Sequence, residues 1–162
     1  MRAALLAVVL LAGSGAKAQT ADYDEAVHCS QRLAGAEANT LTGEARRRCI
    51  IAIATTYIEG EQNSIPPEKE LLADDVARHL IGTPRVNAPG GRAKIISVQP
   101  ASFVIGAIRN RRWTVDGDDA WILYDGYLKS DPSKPGFDVA ERITVEKGLI
   151  REIMIAAVAH PE

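Results

Sequence analysis

The chain is short of the residues that announce common chemistries. Its 162 residues include two cysteines, three histidines, two tryptophans, two phenylalanines and four tyrosines. No C-x-x-C or H-x-x-x-H pair sets metal ligands at close spacing, so no metal centre is expected. There is no G-x-S-x-G elbow, no Walker loop and no G-x-G-x-x-G fingerprint, so no cofactor is implied and several enzyme classes drop out. A surplus of positive charge is also missing, with 19 Lys and Arg against 21 Asp and Glu. Phosphate neutralisation needs a basic face, so no nucleic-acid partner is expected. The clusters Arg46-Arg47-Arg48 and Arg109 with Arg111-Arg112 read as solvated faces.

Long apolar runs are absent too. The longest, Ala3 to Ala12, would rise about 15 Å as a helix, half of a bilayer core. It follows Met1-Arg2 and precedes Gly13-Ser14-Gly15 and Ala16-Lys17-Ala18, the layout of an export signal. Cleavage after Ala18 is predicted. The mature chain would then carry 17 basic residues against 21 acidic ones, a net charge of −4. A periplasmic or secreted address follows, with no membrane contact after cleavage. In that compartment Cys29 and Cys49 are expected to pair as a disulfide, adding about 3 kcal/mol on the chain-entropy model.

What is present suits one domain with its own core, behind a short helical extension at 19–42. A first helix is predicted over Asp22 to Ala38, with Asp22 as cap. A second runs from Gly43 or Glu44 to a stop at Gly60, with Cys49, Ile50, Ile53, Tyr57 and Ile58 at helical spacing. Ser64-Ile65-Pro66-Pro67 restarts a short third helix, Glu68 to Ala73. Strand character follows at Val76 to Gly82, Ser102 to Val115 and Ala120 to Lys129. Phe137 to Val145 and Leu149 to Ala159 complete the set. Thr83 to Arg92 is a loop and a candidate lid. Ala93 to Val98 fits either a helical turn or an edge strand. Helices first and antiparallel strands after make an α+β domain over 43–162.

Alternation along Phe137–Val145 singles out one residue. Phe137, Val139, Ile143 and Val145 share a face, and Glu141 lands among them. A buried carboxylate is costly, so Glu141 is either a pocket acid or half of an internal ion pair with Arg78, Arg109 or Arg111. On the strand from Ala120, Trp121, Leu123, Asp125 and Tyr127 share one face, and Asp125 mirrors Glu141. Alternation alone leaves open whether that face is inner or outer.

The order Tyr57 helix, Leu71-Leu72-Ala73-Asp74-Asp75-Val76, Gly82-Thr83-Pro84 and four long strands resembles the NTF2-like superfamily. Its SnoaL-like and ketosteroid-isomerase-like branches come nearest, and the final hairpin through Arg151-Glu152-Ile153 is similar as well. The resemblance spans about Glu44 to His160. It implies a cone in which N-terminal helices pack inside a curved, mostly antiparallel sheet around an apolar pocket. It also implies cofactor-free acid–base chemistry on a small hydrophobic molecule: isomerisation, dehydration, cyclisation or a lyase step. Homodimers that pack sheet against sheet belong to the same expectation. Tyr57 matches the hydrogen-bonding tyrosine and Glu141 the pocket acid. The base position falls on Leu80, so His79 or Asp125 becomes the candidate base, with Arg78, Trp121 and Tyr127 as candidate substrate contacts. A non-catalytic periplasmic ligand-binding or assembly module is the competing class, since a fold does not fix a function.

Overall fold

The computed structural model describes residues 15–63, 69–81 and 105–160. Helices α1 (Gly15–Ala34) and α2 (Gly43–Asn63) precede five strands. These are β1 (Leu72–Leu80), β2 (Ile105–Asp116), β3 (Asp119–Leu128), β4 (Pro135–Glu146) and β5 (Leu149–Ala159). They form one sheet in the order β1-β5-β4-β3-β2. Every neighbouring pair is antiparallel except β1 and β5, which run parallel. The result is the expected α+β fold: two helices against a curved, mostly antiparallel sheet.

α2 starts where the Thr42 hydroxyl accepts the Ala45 N–H at 3.3 Å, the usual way a helix start satisfies its exposed donors. Its residues Cys49, Ile50, Ile53, Ala54, Tyr57 and Ile58 are buried in one stripe. That stripe fills the inner side of the sheet, meeting Ile122, Ile143 and Ile153 in a common core. The expected stop at Gly60 is not used, and α2 continues to Asn63. Packing of Tyr57 and Ile58 holds that turn helical despite the glycine.

Further boundaries differ from the sequence reading, and α1 starts at Gly15 rather than at the expected Asp22 cap. α1 ends at Ala34, and Ala36–Asn39 forms a separate 3-10 turn. The short helix expected at Glu68–Ala73 is a 3-10 turn over Lys69–Leu71 that leads straight into β1. Leu71, Leu72 and Ala73 are all buried, and three consecutive buried side chains suit no single helix face. Pairing of Leu72 with Ile150 draws the segment into the sheet instead. Residues 1–14 of the expected export signal, the proline restart, Gly82, the candidate lid and Ala93–Val98 lie outside the described residues, while the signal's last four residues, 15–18, open α1.

Register shifts give the sheet its bend. In β2 the pairing jumps between Arg109 and Arg112, and Asn110 takes φ 56° there. Two residues oppose one, which bends the strand and resets which side each residue faces. Asn tolerates this left-handed conformation better than most residues.

Cys29 and Cys49 are joined by a disulfide, with Cα atoms 4.9 Å apart. It ties α1 to α2 and fits an oxidising compartment. No helix among the described residues is long and apolar enough to cross a membrane. α1 also leans on the β4–β5 turn. Gly148 has φ 78°, and a Cβ placed on it would come within 2.1 Å of the Ser30 carbonyl oxygen. Gly117 in the β2–β3 turn has φ 58° with open space around it.

The contrast is testable by urea denaturation. Gly117→Ala should cost about 1 kcal/mol, the price of left-handed backbone alone. Gly148→Ala should cost at least about twice as much, because the turn must also move off α1. Equal losses would show that α1 does not press on the turn. Replacing both Cys29 and Cys49 by alanine should lower stability by roughly 2–5 kcal/mol in the same assay.

Candidate functional site

The inner face of the sheet can be read row by row from its register. Glu141 on β4 pairs with Ile122 on β3 and with Ile155 on β5. Leu80 of β1 and Trp113 of β2 extend the row at its two ends. Directly paired residues share a face, so Glu141 stands in an otherwise apolar row beneath α2. Its exposure is 0%.

Tyr124 stands one row away on the same face, paired with Val139. Its hydroxyl donates to Glu141 Oε2 at 3.2 Å, a hydrogen bond wholly inside the protein. Tyr57 descends from α2 into the same core with 0% exposure. The inner face therefore gathers one carboxyl and two phenols within an aliphatic lining. A hydrogen-bonded carboxyl can pass or accept a proton, and a phenol can hold a ligand oxygen, chemistry that low polarity strengthens.

Tyr124 is absent from the sequence candidates. Attention to the odd positions of β3, with Trp121 and Tyr127, hid it. The signal was available: Ala120, Ile122 and Tyr124 are the even set, and only one set can face α2.

The odd set faces outwards. Asp125 pairs with Asp138 and Arg109 across the strands. Its Oδ2 accepts the Asn110 side-chain amide at 2.6 Å, so it lines no cavity with Glu141. Trp121 is 45% exposed and lies beneath the Arg142 guanidinium. Tyr127 is covered by Arg109, 4.4 Å above its ring. None of the three lies on the inner face beside Glu141, which corrects their assignment as base and substrate contacts.

His79 is corrected in the same way. It pairs with Met154 on the outer side, and its Nε2 lies 3.6 Å from Glu152 Oε1. Strand parity places it opposite the interior, as the neighbouring Leu80 implied. Arg78 is placed inwards: it pairs with Ile153 and is only 8% exposed.

Arg111 reaches the helix side because of the Asn110 bulge, and its Nη1 bonds Glu59 Oε1 on α2. This half-buried pair ties β2 to α2. A separate groove of about 310 Å³ between α1 and α2 is lined by Glu25, Arg48, Ile51, Ala52 and Thr55. It holds none of the predicted site residues. No cluster of metal ligands occurs among the described residues.

Comparison with solved structures shows the same architecture elsewhere. An NTF2-like protein of unknown function from Mesorhizobium loti superposes with a TM-score of 0.56 at 19% identity, over 70% of this chain and 94% of that one. A candidate ketosteroid isomerase from Kribbella flavida gives 0.53 at 19% identity, over 70% and 80%. An LEH-like epoxide hydrolase from M. tuberculosis gives 0.52 at 18% identity, over 67% and 82%. At such identities the likeness is one of fold. No curated protein matches the chain. A family model does, over residues 44–156, the span that holds all but the first residue of α2, β1 to β4 and most of β5, with Tyr57, Tyr124 and Glu141. The chain thus belongs to the family described as domain of unknown function DUF8021, and its fold is that of the NTF2-like superfamily.

Proposed function

We propose that this is an exported domain that binds a small hydrophobic molecule on the inner face of its sheet and moves a proton on it without a cofactor. The observation that carries the reading is the buried Tyr124–Glu141 hydrogen bond, with the Tyr57 ring in the same core. Such a group is costly to keep inside a fold, and it sits where the resemblance puts a pocket acid. Two solved structures of this fold are described as a candidate ketosteroid isomerase and an epoxide hydrolase. Those descriptions support proton-transfer chemistry as the class.

With Asp125 and His79 on the outer face, Glu141 takes the base role itself. Its carboxylate would remove a proton next to a ligand carbonyl and return it to another carbon. Tyr57 would donate its O–H to the oxygen on which negative charge develops. Tyr124, bonded to Glu141 Oε2, orients the carboxyl for both transfers. The second reading is a binding module. It is favoured by a specific finding: no other carboxyl is fully buried with Glu141 among the described residues, so acid and base roles cannot be divided between two neighbours.

The outer face supplies the second part of the proposal, a homodimer. Trp121 and Leu123 are about half exposed on it. They flank the small residues Ala140 and Ala156, which pair in one row with Leu123. Exposed apolar residues beside small ones on a sheet face suit sheet-on-sheet packing.

Thermal-shift screening of cyclic ketones and enones is the first test. At least one compound should raise the melting temperature of the wild type. With such a compound, Glu141→Gln should lower turnover by about 10²–10⁴-fold, and Tyr57→Phe by about 10–10³-fold. Binding that survives with no turnover in any form would favour the module reading. Failure of every compound to bind would remove the pocket. Separately, light scattering should show a dimer that Trp121→Asp converts to a monomer while its circular dichroism is unchanged. A monomeric wild type would end the dimer proposal.

A further inference from the structure

Arg78 and Glu141 are the two charged side chains fully inside the described part of the protein, 8% and 0% exposed. Both belong to the inner face. Arg78 pairs with Ile153, and Glu141 with Ile155, two residues further along the same strand. One strand, β5, lies between them. Strand geometry sets their backbones about 10 Å apart across the sheet and about 7 Å along it. On the inner side of a curved sheet, side chains converge, and these are a long cation and an acid.

Arg112 on β2 pairs with the outward Leu123, and several other arginines near the sheet have partners of their own. Arg109 covers Tyr127, Arg111 bonds Glu59, and Arg142 bonds Glu152. Arg151 bonds Asp75, and Arg46 bonds Asp118. The groups that face Glu141 are therefore known by element. β3 offers the Tyr124 hydroxyl, α2 offers Tyr57, and β5 offers the apolar Ile153 and Ile155. β2 offers Trp113, with the Arg111–Glu59 pair beyond it, and β4 itself adds Val139 and Ile143. β1 contributes Arg78, the most deeply buried cation among the described residues. A buried guanidinium and a buried carboxyl that meet on one apolar face are each stabilised by the other and penalised alone.

We propose that Arg78 is the counter-charge of Glu141 and keeps it a carboxylate, a proton acceptor, at neutral pH. Arg78 is then a positioning residue for the site acid rather than a substrate contact. The inference rests on the proposed role of Glu141 for its functional meaning, but its test needs no ligand. It decides between two chemistries: a protonated Glu141 would donate a hydrogen bond, whereas an ionised one can only accept.

The experiment is a carbon-13 NMR titration of the glutamate carboxyl carbons in the full chain, with the Glu141 signal identified by its loss in Glu141→Gln. The wild-type midpoint should fall below about 6, since an opposite charge offsets burial. In Arg78→Met it should rise by at least about 2 units, burial then acting alone. Arg78→Lys should restore most of the difference. A wild-type midpoint above 7 would overturn the proposal even if Arg78→Met does not fold. So would an Arg78→Met midpoint within about half a unit of the wild type. A passed titration with no ligand found would leave the ion pair standing and the proton-transfer reading rejected, so the two failures are separable.

Discussion

The contact on which the rest depends is the apolar stripe of α2 laid against the inner side of the sheet. Ile50, Ile53, Tyr57 and Ile58 have no exposed surface, and burying each contributes about 1.5–3 kcal/mol by area. Other ties converge on the same helix. The disulfide joins it to α1, Arg46 bonds Asp118 in the β2–β3 turn, and Glu59 bonds Arg111 on β2. The stripe also decides which residues of every strand become interior. Glu141 is buried because β4 presents its odd positions to α2, and Asp125 is half exposed because β3 presents its even ones.

Much of this was legible in the sequence. Alternation along β4 placed Glu141 on the apolar face without any structure, whereas His79, offered as a base beside Leu80, lies on the other side of its strand. The even cysteine pair, read with the expected oxidising compartment, pointed to the Cys29–Cys49 disulfide. Three things were not legible, for physical reasons. Parallel pairing with β5 is a non-local contact, so no local pattern distinguishes Leu71-Leu72-Ala73 as the entry to a strand rather than a helix. The face of β3 was ambiguous because large apolar residues lie on both sides, Trp121 and Leu123 on one, Ile122 and Tyr124 on the other. The bulge at Asn110 leaves no composition signature beyond a single tolerant residue, yet it determines the side on which Arg111 appears.

The two faces of the sheet divide the chain's chemistry. Outside, charges answer one another in the open: Arg142 with Glu152 and Asp119, His79 with Glu152, Asp125 with Asn110. Such pairs are screened and individually worth little. Inside, a few polar groups stand in aliphatic surroundings where each interaction is strong and each mismatch is expensive. Correcting Asp125 and His79 to the outer face therefore does more than delete two candidates. It leaves Glu141 as the one fully buried carboxyl among the described residues, so the proposed proton transfer would rest on the charge state of that group alone.

The Asn110 bulge acts on β2 as a phase marker. Before it, Ile108 points in and Arg109 out; after it, Arg111, Trp113 and Val115 turn in, and Arg112 and Thr114 turn out. The strand thus carries two alternating codes of opposite parity, spliced at one residue. A family member that lost or gained one residue here would exchange its inner and outer sets over half a strand while its composition stayed the same. Alignments across this point can pair Arg111 with a residue of the opposite face, so the cluster beside Tyr124 is better traced by strand register than by column.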